Sequence, residues 1–284
     1  MPSRLSHNSY GKHRVRVSKI RRPRQGAPNT ERHEFVEAAV DVELEGDFDA
    51  AFTNGDNRSV VATDTCKNTV YALAKDDPLE TIESFGLTVA RHFIGRYEHV
   101  SRCRVRLTEH VWERLADSPH AFVARDSVEP TAEVVLTRGA EPVVTSGVEK
   151  LMIAKTTESG FVDFHRDDFR TLPDTEDRIL ATEMTAEWRL ASADADFATV
   201  RKTVVDTMLA RFVDHYSRSV QETLHLMAAA ALDAAPAVAE ITLTMPNKHH
   251  LLAKLVPEGT ANDNEVFVVT DEPFGYISAT LARE

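Results

Sequence analysis

The sequence predicts an α+β fold built from a duplicated unit, and three observations carry that prediction. Short segments of strict apolar–polar alternation, the mark of strands that bury one face, flank stretches whose apolar residues recur at helical spacing. The order strand, strand, helices, strand, strand occurs twice. A break at Gly139 and Pro142 separates the two copies, so residues 1–140 and 141–284 are expected to form two domains.

In the first copy, Lys12 to Ile20 alternates, with Val15 and Val17 facing one way and Arg14 and Arg16 the other. RRPRQGAPNT then reads as a hairpin connection and HEFVEAAVDVEL as the second strand. GDFDAAFTNGDN reads as a linker, followed by the short apolar stretch SVVATD. Helical spacing runs from Thr65 to Lys75 and from Glu80 to Tyr97, divided by Pro78. Strands resume in RCRVRL, where Arg102, Arg104 and Arg106 alternate with apolar positions, and in AEVVLTRG.

The second copy follows the same order. EKLMIAKTT and ILATEMTAEWRL are its first two strands, helices run from Phe197 to Tyr216 and from Val220 to Leu232, and AEITLTM and EVFVVT to YISATL close it. Val200, Val204, Val205, Met208, Leu209 and Phe212 form one apolar stripe on the first of these helices. Four antiparallel strands with helices on one face leave two sheet edges unpaired in each copy. Closing edge to edge into a barrel is the natural remedy.

Composition bounds the function. With 42% hydrophobic and 27% charged residues the chain falls in the ordinary globular class. A net charge of −12 argues against nucleic acid as a partner, since phosphates need clustered cations. The basic residues Arg4, Lys12, Arg14, Arg16, Lys19, Arg21, Arg22 and Arg24 gather near the start and read as the basic face of an exposed strand. Nothing apolar follows Arg21–Arg24 as a twin-arginine export signal would require, and no run is long enough to span a bilayer. A cytosolic protein with no membrane partner is expected. Cys66 and Cys103 lack metal-site or redox spacing and read as buried thiols in a reducing compartment.

Several polar segments remain that strand and helix patterning does not require: YGKHRVRVSKI, VVATDTCKNTVYALAK, KTTESGFVDFHRDDFRTLPDTEDRILAT, SVQETL and MPNKHH. Together, in this order, they resemble the urate oxidase (uricase) family. The resemblance implies tandem tunnelling-fold domains whose antiparallel sheets join into barrels, two barrels stacking into a homotetramer with active sites between subunits. It implies oxidation of urate by O₂ to 5-hydroxyisourate and hydrogen peroxide, without metal or any other cofactor. Lys12, Thr63 and His249 fall on the catalytic positions. Thr63, Asp64, Phe161, Arg178, Val220, Gln221 and Asn247 fall on the substrate positions, with Thr63 and Asn247 also holding O₂ or water. DDFRTL departs from a more usual tyrosine-containing version. The chain ends LARE, without the peroxisomal serine-lysine-leucine address, so a bacterial cytoplasm is expected.

These residue types suit that chemistry. Arg178 offers a planar fork of donors to adjacent acceptors on a flat anion, which a lysine cannot match. The bland alternative is a surface arginine paired with Glu176 or Asp177. Gln221 presents a donor and an acceptor on one amide, suited to a lactam edge. Ser219 with Glu222 reads as a capping box, which puts Gln221 in the first turn of a helix, where exposed N–H groups favour an anion. Phe161 supplies a stacking face. A lysine acts as a base near neutral pH only when its surroundings weaken its hold on the proton, and a threonine hydroxyl between it and the substrate can accept and donate at once. The competing reading makes Lys12 an ordinary strand lysine and Thr63–Asp64 a helix cap. His249 and His250 are adjacent on a strand and are expected to point to opposite faces, which disfavours a metal site. Two further readings are a related enzyme acting on a pterin or another purine, which typically needs a zinc site or an acidic anchor, and a non-catalytic purine-binding tetramer.

Overall fold

The basic–apolar alternation near the start becomes strand β1 (Tyr10–Arg21), with Val15 and Val17 buried on one side. In this computed structural model residues 3–22, 32–125, 127–257 and 259–284 are described. The connection expected in RRPRQGAPNT lies, from residue 23 onward, outside the described residues. The chain divides into two compact units: Met1–Gly147 with Arg189–Ala198, and Val148–Trp188 with Thr199–Glu284.

In the first unit β1 pairs antiparallel with β2 (Glu34–Gly46), the segment read as the second strand. The next stretch, read as a linker, instead holds the short helix α1 (Asp49–Asn54). Phe48 is buried just before it, Asp49 sits in its first turn, and Gly55 ends it in the left-handed conformation at φ 67°. Six residues are too few for helical periodicity to declare itself. Helices α2 (Thr63–Asp76) and α3 (Ile82–Arg96) follow as the spacing predicts, α3 opened by a reciprocal Thr81–Ser84 cap. Strand β3 (Val100–Glu109) then pairs with β2. A small separate hairpin, β4 (Val111–Arg114) with β5 (Phe122–Arg125), precedes β6 (Glu129–Thr137), which pairs with β3.

The sheet order is therefore β1-β2-β3-β6, with α3 packed on β3 and β6 and α2 on β1. Alternation decides which face meets the helices. Cys103, Val105 and Leu107 are buried, while Arg102 pairs with Glu45 and Arg104 and Arg106 with Glu133 on the other face. Gly86 lets α3 approach closely, since a Cβ there would come within 2.8 Å of Val134 and 2.9 Å of Leu107. Both thiols are buried and unpaired, and burial pushes Cys66 up to about 11 and Cys103 up to about 12.

The second unit repeats the pattern. β7 (Val143–Lys155) pairs with β8 (Leu180–Leu190), then come α4 (Phe197–Val213) and α5 (Val220–Ala234). The last two strands are each broken in two: β9 (Val238–Thr244) and β10 (Asn247–Leu252), β11 (Phe267–Gly275) and β12 (Ser278–Ala282). β8 pairs with both β9 and β10, β9 with β12, and β10 with β11. Pro246 sits at the first break and has no N–H to give a ladder, while Met245 donates to the carbonyl of Ile277 across the second, 2.8 Å away. The stripe expected on α4 is narrower than the spacing implied: Phe197, Val204, Met208 and Phe212 are buried, and Val200, Val205 and Leu209 only half so. α5 packs on β9 and β12. β1 is an outer strand of the first unit and β11 an outer strand of the second.

Candidate active site

In the first unit, Tyr10 joins the start of β1 to the segment that enters α2. Its ring meets Phe48 edge-on at 4.8 Å, and its hydroxyl accepts a hydrogen bond from the Val61 N–H at 2.7 Å. Gly11 lies so close to β2 that a Cβ would fall 1.8 Å from the Val42 carbonyl oxygen. A bulge between Lys12 and Val15, with Arg14 at φ 55°, then resets the register. Lys12 is half-buried at this bulge, and its charge reaches the first turn of α2. The Asp64 carboxyl is held below the usual range mainly by its hydrogen bond to Lys67, with smaller contributions from Asn68 and from Lys12.

The helix-cap reading of Thr63–Asp64 is not realised. Ala62 is the N-cap residue and no side chain caps the helix, so Thr63 stands exposed as its first residue while Asp64 turns to Lys67 and Asn68. Lys12, Thr63 and Asp64 thus share one corner of the first unit.

In the second unit a cavity of about 550 Å³ is lined by Phe161, Arg178, Val220, Gln221, Asn247 and His249, all six of the remaining candidates. Its size is that of a small-molecule site. Two segments of the connection between β7 and β8 build one wall. Phe161 and Thr175 exchange backbone hydrogen bonds of 2.7 and 3.0 Å, and Arg178 N–H donates to the Ser159 carbonyl at 2.8 Å. Gly160 N–H donates to Ser217, and the Tyr216 hydroxyl donates to the Glu176 carbonyl at 2.6 Å, closing the frame.

Within this frame the Arg178 guanidinium carbon lies 5.4 Å from the Phe161 ring centroid. The alternative pairing of Arg178 with Glu176 or Asp177 does not occur: Asp177 accepts from Thr157 at 2.8 Å, and Arg178 forms no ion pair among the described residues. Burial holds its guanidinium below the usual arginine range, and its Nε is buried without a hydrogen-bond partner.

Val220 and Gln221 open α5. Ser219 caps this helix by accepting from the Glu222 N–H at 3.1 Å, but the reciprocal half of the expected capping box is shifted by one residue. The Glu222 carboxylate accepts from the Arg218 N–H at 3.0 Å and pairs with the Arg218 side chain, because that cation draws it past Ser219. Asn247 is buried at the start of β10, its amide 3.3 Å from Nδ1 of His249 two residues on.

His250 also lines the cavity, its Nδ1 3.1 Å from the Lys248 carbonyl oxygen. The β10–β11 register shifts between Asn247 and His249 and runs unbroken from His249 to Leu252. Among the described residues no group of three or more His, Cys, Asp or Glu side chains is arranged to hold a metal ion. Asp174, Thr175 and Asn264 are polar lining residues that sequence reasoning did not single out, and His250 entered it only in weighing a metal site. Asp174 lies inside the quoted central motif, and nothing in the pattern around Asn264 marks it.

A family model described as uricase matches residues 8–135 and 144–278. The chain belongs to the uricase family. Uricase of Arthrobacter globiformis is 41% identical to it over 280 residues, covering 99% of this chain and 90% of that protein. Uricase of Dictyostelium discoideum is 37% identical over 285 residues, covering 98% and 97%. The crystal structure of Arthrobacter globiformis uricase matches with a TM-score of 0.95 at 41% identity, covering all of this chain and 96% of that one. The repeated α+β units are thus those of a uricase-family protein. Among the described residues of this uricase-family chain, no helix is long and apolar enough to cross a membrane.

Proposed function

We propose that two copies of this chain complete one active site, which oxidises urate with O₂ and water to 5-hydroxyisourate and hydrogen peroxide. Lys12, Thr63 and Asp64 come from one copy and Phe161, Arg178, Val220, Gln221, Asn247 and His249 from the other. The observation that carries this reading is the convergence of the latter six on one cavity in a chain of the uricase family.

Each group has a task that its surroundings support. Arg178, half-buried and without an ion-pair partner, offers its donor fork to the rim of a flat anion. Phe161 lies beneath the ring, and the Gln221 amide meets the lactam edge from the first turn of α5, where the helix end favours negative charge. Lys12 takes a proton from bound urate through the Thr63 hydroxyl, and the dianion passes two electrons to O₂. The proton held by Lys12 and one released by the attacking water pass to the reduced O₂, which leaves as hydrogen peroxide, while the hydroxide of that water bonds to C5. Asn247 and Thr63 hold O₂ and then water over the ring, and His249 beside Asn247 extends the proton route. Alignment and a dry pocket supply the rate enhancement, and no metal or organic cofactor takes part.

Assembly into a tetramer of two stacked barrels would pair the outer strands β1 and β11 and cover exposed apolar side chains such as Phe169, Val256 and Tyr276. The reading places the enzyme in a bacterial cytoplasm, in keeping with a bacterial relative at 41% identity. The test is urate-dependent oxygen uptake with stoichiometric peroxide release by the purified, chelator-treated protein. Absence of oxygen uptake refutes the reading.

A further inference from the structure

We propose that Phe164 and Arg170 set the stacking surface of this cavity, Phe164 acting as a positioning residue for the ring of Phe161; the inference rests on the reading of Phe161 as the residue that stacks against urate. The two rings are parallel, with centroids 4.7 Å apart and planes 7° from each other. Phe164 thereby covers one face of Phe161, a ring that lines the cavity and carries the Arg178 guanidinium over it. Asp163, at φ 55°, turns the chain between them, a conformation that aspartate tolerates better than most residues.

On Phe164 lies Arg170, its guanidinium carbon 4.8 Å from the ring centroid. Arg170 is itself pinned: Nε donates to the Leu172 carbonyl at 2.9 Å and Nη2 to the Asp174 carboxylate at 3.0 Å. Arg166 holds the other oxygen of Asp174. Leu172 and Asp174 line the cavity, so the cation that caps the stack also fixes the wall beside it. Arg170 belongs to the segment DDFRTL of the connection between β7 and β8. An unsupported Phe161 ring would have to be ordered when the ligand binds, and that ordering weakens affinity without touching the reacting atoms.

The test compares wild type with Phe164→Leu, Phe164→Tyr and Arg170→Lys, measuring urate binding under argon and steady-state oxygen uptake. Phe164→Leu should raise both Kd and KM for urate about five- to tenfold, with kcat falling by less than about twofold. Phe164→Tyr, which restores the ring, should recover most of that loss, and Arg170→Lys should raise KM about two- to threefold. An unmoved KM in Phe164→Leu overturns the inference, as does an equal loss in the tyrosine variant or a fall confined to kcat. Should Phe164→Leu not fold, an unmoved KM in Arg170→Lys overturns it. Wild-type protein that neither binds nor oxidises urate would sink the reading of the site instead, a distinguishable result.

Discussion

The guanidinium carbon of Arg178 lies 5.4 Å from the ring centroid of Phe161, so a donor fork and an aromatic face share one wall of the cavity. A flat anion stacked on the ring can receive the fork at its rim. Arg178→Lys keeps the charge and loses the paired donors, and kcat/KM for urate should fall roughly 10- to 100-fold, mostly through KM. Steady-state oxygen uptake across a urate series checks this, and a loss below about threefold would remove Arg178 from the binding role.

Gly160 is expected to tolerate no side chain. A Cβ there would lie 2.2 Å from the Tyr216 hydroxyl and 3.0 Å from the Thr175 carbonyl oxygen. Gly160→Ala should cost about 1–3 kcal/mol of stability and weaken urate binding, because Tyr216 and the Phe161 segment must move apart. Pairing it with Tyr216→Phe removes the closest atom, so thermal unfolding of the double variant should show a smaller loss than the two single effects summed. Strict additivity would count against the contact.

His215 gives the folded state a pH dependence. Burial holds its imidazole below the ordinary 6.5, with the charges of Lys155 and Arg211 acting the same way and the Arg211 carbonyl and Glu222 opposing. Its ring nitrogens contact the Arg211 carbonyl at 2.8 Å and the Thr223 hydroxyl at 2.9 Å. The folded chain then binds fewer protons here than the unfolded chain, so this contribution is fully present above pH 6.5 and shrinks as pH falls from there toward the lower folded value. Denaturant unfolding at a series of pH values should give a steeper acid-side loss for wild type than for His215→Gln. Parallel slopes would contradict the assignment.

The shared site predicts complementation. Lys12→Met should chiefly lower turnover and Arg178→Ala should also weaken binding, each leaving its variant inactive on its own. Mixed under subunit exchange in equal amounts, they should regain about a quarter of wild-type activity, because each half-site is intact in half of the chains. No recovery, once exchange is demonstrated by mass, would argue for a site within one chain.

Much of this molecule is written in local pattern. Alternation in RCRVRL placed β3 and told its buried face from its ion-paired face, because a strand's side chains have a period of two whatever surrounds them. Helical spacing and Pro78 located α2 and α3 for the same kind of reason. The site residues were named through the quoted motifs, where side-chain chemistry rather than position carries the signal.

Where backbone periodicity was silent or misleading, particular side-chain contacts made the decision. Helix α1 exists because buried Phe48 anchors six residues that no periodicity could mark. Glu222 turns to Arg218 instead of completing the cap at Ser219. The stack of Arg170, Phe164 and Phe161 depends on a turn at Asp163 and on Asp174 further along. Residue type and spacing alone determined the duplicated α+β plan and the kinds of groups available for catalysis, since both follow from backbone periodicity and side-chain chemistry. Which groups meet, and which face each presents, was decided by packing between segments far apart in the chain, whose energies no short stretch of sequence contains.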